Sequence, residues 1–159
     1  MIRNSVKALI VREGKLLLNR CDRDGEIYFS FPGGGQHQYE TLGEALRREC
    51  LEETGHTVAD ARLAGIYELV STSEDMRSKY PDYAHKIYFF FVCSLTGEES
   101  TDPTEMDVHQ TGSVWTPLEQ CSALNIRPRA AREALHMLLT TQSPVFLGSD
   151  SAEDAFGYS

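Results

Sequence analysis

The 159-residue chain has no run of about 18 apolar residues, so nothing in it reads as a membrane-spanning helix. Its four cysteines, Cys21, Cys50, Cys93 and Cys121, are widely spaced and include no Cys-x-x-Cys pair. That pattern excludes the usual ligand spacing of a structural zinc site and the framework of a disulfide-stapled domain, and leaves reduced, packed thiols. Basic residues are also scarce: 15 Lys and Arg stand against 24 Asp and Glu, for a net charge of −9. Broad nucleic-acid binding depends on clustered cations, so nucleic acid is not the expected partner. The N-terminal residues lack a basic segment leading into an apolar run, and a cytoplasmic location is expected. No internal repeat is present.

The hydrophobic fraction of 41% is ordinary for a soluble globular protein, and the length suits one domain with a sizeable core. Residues 1–141 are read as that domain and 142–159, rich in Ser, Gly and acid, as a tail that is disordered or only loosely docked. Val6, Ala8, Leu9, Ile10 and Val11 predict a buried strand over 5–11. Glu13-Gly14 turns it into a second strand over 15–20, forming a hairpin. A short strand over 28–31 follows. One or two strands broken near Gly65 are expected within 57–73, and the most apolar run, 87–95, predicts the central strand. Residues 113–116 form a last strand, with a short helix from Leu118 and a final helix over about 129–140. Strands flanking a mid-chain helix, with another helix at the end, predict an α/β (α+β) fold with a mixed sheet between helices.

The chemistry concentrates in residues 31–56, FPGGGQHQYETLGEALRRECLEETGH. Thr41 and Glu44 read as a capping box and Gly55 as the stop of a helix over 42–54. One stripe of this helix carries Leu42, Ala45 and Leu46 in its first half, then Glu49 and Glu53 in its second, with Glu52 beside them. Carboxylates where the pattern wants core mark a functional site. Stacked at i and i+4 they repel unless a cation joins them, and a hard divalent ion such as Mg²⁺, with Mn²⁺ as a substitute, is the natural counter-charge. Upstream, Gly33, Gly34 and Gly35 allow the backbone to approach a ligand closely.

Gly34, five residues, Glu40, seven residues, Arg48-Glu49, Glu52-Glu53 and Gly55 stand at fixed spacing over Gly34 to His56. This resembles the Nudix box of hydrolases acting on a nucleoside diphosphate linked to another moiety. Cys50 and His56 stand where the pattern has bulky aliphatic residues, and Tyr39 stands where a glycine often does. The resemblance implies a Nudix-like α/β/α sandwich. It implies hydrolysis of a phosphoanhydride by a metal-activated water, with Glu49, Glu53 and Glu52 holding metal and the Gly34 carbonyl as a further ligand. Arg48 lies off that face and is expected to pair with Glu40 or Glu52. In similar proteins an acid from a downstream loop completes the metal site or acts as base; Glu98, Glu99, Glu105 and Asp107 are available, and Glu105 is preferred.

Substrate-binding candidates lie outside the box. Arg20 ends the second strand, where its guanidinium suits a phosphate. Tyr28 offers a ring for a base. Arg77, Lys79, Tyr80 and Tyr83 sit in a polar loop over 74–85 too long to be mere connection. The partner is therefore a small nucleotide or nucleotide derivative; a homodimer is compatible with the sequence. A nucleotide-sensing binding module on the same scaffold is the competing reading, but such a module would have lost box carboxylates, and none is missing. Isopentenyl diphosphate isomerase chemistry lacks its additional cysteine and glutamate markers, and RNA ends as substrate receive little electrostatic help from an acidic chain.

Overall fold

The computed structural model describes residues 1–97 and 100–153. The first strand, β1 (Arg3–Arg12), turns through Glu13 and Gly14 into β2 (Lys15–Arg23). Both turn residues have positive φ, 52° and 74°, the twist that suits a two-residue hairpin. The two strands pair only at Val11↔Leu16 and Arg12↔Lys15, then splay apart into separate halves of a curled mixed sheet. On one side β1 pairs in parallel with β5 (His85–Thr96), which pairs with β4 (Thr57–Ser71) and through it with β8 (Val145–Ala152). On the other, β2 lies between β3 (Glu26–Ser30) and β6 (Gln110–Pro117), and β3 carries the two-residue β7 (Ile126–Arg127). The opening between the halves is where the glycine loop enters.

Alternation along β1 builds two cores. Val6, Ala8 and Ile10 face helix α1 (Leu42–Thr54) and bury Ala45, Leu46 and Cys50. Leu9 faces the other way, with Leu16 and Leu18 of β2, against Ala131, Leu135 and Leu138 of the C-terminal helices. The result is the α/β/α arrangement expected, with β5 near the middle of the strand order.

Four local features differ from the sequence reading. The final helix is two pieces, Arg129–Glu133 and Leu135–Thr140, separated at Ala134 (φ −94°, ψ 8°). The polar loop after β4 contains a short helix, Glu74–Lys79, whose start is capped by the Ser73 hydroxyl accepting the Met76 N–H. β4 runs through Gly65 as one strand with register shifts there; a side chain at Gly65 would meet Leu138. Residues 145–152, expected to be disordered or only loosely docked, are strand β8, tied by Tyr67 Oη donating to Asp150 (2.9 Å) and Ser149 Oγ donating to Glu68 (2.7 Å). Among the described residues no helix is long and apolar enough to cross a membrane.

Candidate active site

The glycine loop is laid against β1 by backbone bonds: Ala8 N–H to Pro32 O (2.8 Å), Val6 N–H to Gly34 O (2.9 Å) and Gln36 N–H to Asn4 O (3.0 Å). This leaves no room for side chains. Gly33 has φ 138°, and a Cβ there would strike the Val6 carbonyl. Gly34 is different: its φ is ordinary, but a Cβ would lie 2.6 Å from all three carboxylate atoms of Glu49. The Glu49 carboxylate therefore rests directly over Gly34. Gly33→Ala is expected to destabilise the fold by several kcal/mol, since backbone must move and φ is strained. Gly34→Ala should leave the melting temperature within a few degrees while cutting turnover on the order of tenfold to a hundredfold, because only the Glu49 side chain is displaced. Thermal melts and rates on both variants check this; a collapse of Gly34→Ala would disprove the local reading.

Helix α1 forms as its ends dictate. Thr41 Oγ1 accepts the Glu44 N–H (3.2 Å), Glu44 Oε2 accepts the Thr41 N–H (2.8 Å), and Gly55 closes the helix at φ 72°. Its buried stripe delivers Glu53, only 5% exposed, to the back of the loop. One oxygen of Glu53 accepts both Asn19 Nδ2 (2.7 Å) and Gly33 N–H (2.9 Å). Burial nevertheless pushes its pKa up to about 7, against the lowering effects of the Lys7 ammonium and those two hydrogen bonds and with a further push from Glu49. A carboxylate sealed this way is drawn toward the protonated form in spite of the Lys7 ammonium.

Arg48 organises the remaining acids. Its Nε and Nη2 grip both oxygens of Glu40 (2.7 and 2.9 Å), Nη2 also donates to Gly35 O (2.9 Å), and Nη1 reaches Glu49 (2.8 Å) and Glu52 (3.4 Å). Arg48 thus joins Glu40 and Glu52 together, where the sequence offered them as alternatives. The guanidinium and the His37 N–H hold Glu40 down at about 2.

These donors fit a hard divalent ion. Among the described residues no three His, Cys, Asp or Glu side chains stand together as a group that could hold a metal ion; the Arg48 guanidinium lies against Glu49 and Glu52. Mg²⁺ does not need such a group; it binds through one or two carboxylates plus water and substrate oxygens. Two observations favour it: the buried Glu53 carboxylate, and the Glu49 carboxylate lying directly against the bare Gly34 backbone. The Gly34 carbonyl already accepts the Val6 N–H, leaving its second lone pair.

The segment after β5 is tied to the end of α1. Thr101 N–H donates to Gly55 O (2.9 Å), and the N–H groups of Thr104 and Glu105 both donate to Glu52 O (3.0 Å each). This brings the backbone of Glu105 to the box while its side chain stays exposed. Glu98 and Glu99 lie outside the described residues. Arg20 Nη1 donates to Thr111 Oγ1 (2.8 Å) and, next to Asn19 on a strand, projects from the opposite face. Tyr28 lies under the Arg127 guanidinium, 4.3 Å from the ring centre. Arg77 turns to Ser71 O (2.7 Å), Lys79 pairs with Asp75 (2.8 Å), Tyr80 is half-exposed, and Tyr83 packs under the Arg3 guanidinium, which itself abuts Gly35.

Three residues that support Glu53 carried no signal in the sequence. Asn19 donates to the carboxylate, Lys7 Nζ donates to Gly33 O (2.9 Å), and Gln110 Nε2 donates to the Glu53 backbone carbonyl (3.0 Å). All come from strands distant in the chain, so no spacing rule joins them to the box.

A model of the NUDIX domain matches residues 1–138. An RNA pyrophosphohydrolase of Xanthomonas campestris pv. campestris is 28% identical across 92% of this chain and 77% of its own length. The nucleoside triphosphatase NudI of Klebsiella pneumoniae is 33% identical across 66% of this chain and 77% of its own. Among solved structures, a MutT protein from Bacillus halodurans superposes with a TM-score of 0.72 over 94% of this chain and 89% of its own, at 21% identity. That last likeness carries the fold.

Proposed function

Because the chain belongs to the NUDIX domain family, we propose that it is a metal-dependent pyrophosphohydrolase that cleaves a phosphoanhydride in a nucleoside diphosphate linked to another moiety. The relatives named as pyrophosphohydrolase and nucleoside triphosphatase support anhydride hydrolysis. The observation that carries the reading is Glu53: a buried carboxylate, aligned by Asn19 and Gly33 and lifted to about 7, beside Glu49 and Glu52. A binding module would be expected to have lost box carboxylates, and Glu49, Glu52 and Glu53 are all present.

Glu49, Glu52 and Glu53 would hold Mg²⁺, with Mn²⁺ able to replace it. Bound there, the metal lowers the pKa of water and offsets charge on phosphate oxygens. The chain's own residues do the rest. Arg48 and Glu40 set the direction of Glu49 and Glu52, a supporting role that metal sites require. Asn19 and the Gly33 N–H fix one oxygen of Glu53. The glycine loop, bare of side chains, admits the pyrophosphate close to backbone. One of the box glutamates or the downstream Glu105 takes the proton of the attacking water, which approaches phosphorus in line with the leaving oxygen. Arg77 and Tyr80 are assigned to the outer part of the substrate; Arg20, on the face of β2 opposite to Asn19 and bonded to Thr111, is not assigned to it. The cytoplasm is the proposed compartment.

The test is coupled phosphate release from nucleoside triphosphates, nucleotide sugars, ADP-ribose and a 5′-triphosphate oligonucleotide, with and without Mg²⁺. Turnover that requires the metal supports the reading. Tight binding of a panel member, seen as a raised melting temperature without cleavage, would favour the sensing module.

A further inference from the structure

Arg127 sits in the two-residue strand β7 with its side chain about 10% exposed, yet its Nε has no hydrogen-bond partner among the described residues. Buried polar groups are almost always satisfied, so an orphan donor on a charged side chain points to an acceptor supplied from outside. Its surroundings say where that acceptor comes from. The guanidinium lies over the Tyr28 ring and Nη2 pairs with Glu26 (2.6 Å). Glu26 is 60% exposed, so its carboxylate can swing into solvent and uncover the guanidinium.

Strand register relates this group to the glutamates. Asn19 of β2 is opposite Ser30 of β3, and Ser30 is opposite Arg127 of β7. The three therefore form one row across the sheet on a shared face, and Tyr28 and Glu26 fall on that face as alternate residues of β3. Asn19 holds Glu53. With strands about 4.8 Å apart, Arg127 stands about 10 Å from Asn19, a span suited to the nucleoside end of a substrate whose anhydride lies at the carboxylates. This rests on the hydrolase reading above.

The geometry points to Arg127, backed by Tyr28 and masked by Glu26, as a specificity-determining residue that selects a purine base with an acceptor edge, the O6 and N7 of guanine or hypoxanthine. A planar guanidinium matches that pair of acceptors. Adenine presents N7 beside an amino donor, which cannot accept the second N–H.

The test is hydrolysis of GTP, ITP and ATP by the full chain with Mg²⁺, in the native form and in Arg127→Met and Glu26→Gln. Native kcat/KM should favour GTP and ITP over ATP by roughly tenfold to a hundredfold. Arg127→Met should bring that ratio to about one, mainly by raising KM, whereas Glu26→Gln should lower KM for GTP. A merely structural ion pair would give losses in the same direction for both variants. Equal use of the bases by the native chain, or a ratio that survives Arg127→Met, overturns the assignment. If Arg127→Met does not fold, Arg127→Lys replaces it; this variant keeps the charge, loses the planar fork, and must also lose the ratio. If none of the three triphosphates is cleaved, base selection is read from melting-temperature shifts instead, while the hydrolase reading itself fails only if no member of the wider panel above is cleaved. A larger shift with GTP than ATP that depends on Arg127 supports the assignment, and equal shifts overturn it.

Discussion

Glu53→Gln is expected to cut metal-dependent turnover by a factor on the order of 10² or more while making the metal-free protein more stable above pH 7. The two effects share one cause. In the folded chain burial raises the Glu53 pKa from 4.5 to about 7, so the folded state binds a proton more tightly than the unfolded state. The contribution of Glu53 to stability is then greatest below pH 4.5 and is lost as pH rises through about 7. Gln has no charge to bury, so its stability should not fall in that window. The difference at pH 8 amounts to at most about 3 kcal/mol, and it vanishes near pH 4. Adding Mg²⁺ at pH 8 should raise the melting temperature of the native chain and leave the variant nearly unchanged, because a ligand stabilises only the state that binds it. Melting curves across pH, with and without the metal, check all three statements. Parallel pH curves for the two proteins would show that Glu53 is not the strained carboxylate described.

The box helix was legible because its determinants are local. Thr41, Glu44 and Gly55 act within one turn of the ends they fix; the apolar stripe that turns acidic put Glu53 in line with Leu42 and Leu46, and its burial emerges only in the structure. The hairpin at Glu13-Gly14 was legible for the same reason. The support of Glu53 was not, since Asn19, Lys7 and Gln110 reach it only after β1, β2 and β6 have been assembled. Arg127 is a sharper case: its position before Pro128 is visible in the sequence, but its burial depends on β7 pairing with β3 over two residues. Strand β8 was misread because its exposed Ser and Asp residues resemble a solvated tail; as an edge strand parallel to β4 it needs few apolar side chains. The helix over 74–79 did have a signal, Ser73 three residues before Met76, which the charge of the segment obscured.

Arg48→Met should produce the other large effect, a loss of about 2–4 kcal/mol of stability together with a tenfold to hundredfold fall in turnover. Arg48 is the only cation hydrogen-bonded to Glu40, Glu49 and Glu52 among the described contacts, and without it three partly buried carboxylates face one another beside Glu53. Its share of the stability can be recognised by its pH dependence. Glu40 is held at about 2 against an ordinary 4.5, so the pair stabilises the fold fully above pH 4.5 and progressively less as pH falls toward 2. The gap between native and variant should therefore be widest near neutrality and should close in acid. Arg48→Lys restores a charge but cannot grip both oxygens of Glu40 while reaching Glu49, so it should recover part of the stability and little of the turnover. Mg²⁺ should stabilise the Met variant by more degrees than the native chain, since the metal then replaces the missing positive charge as well as filling its own site. A variant with native stability at pH 7 would mean that the carboxylates are positioned by the loop and helix alone, and that Arg48 is only one more charge at the rim.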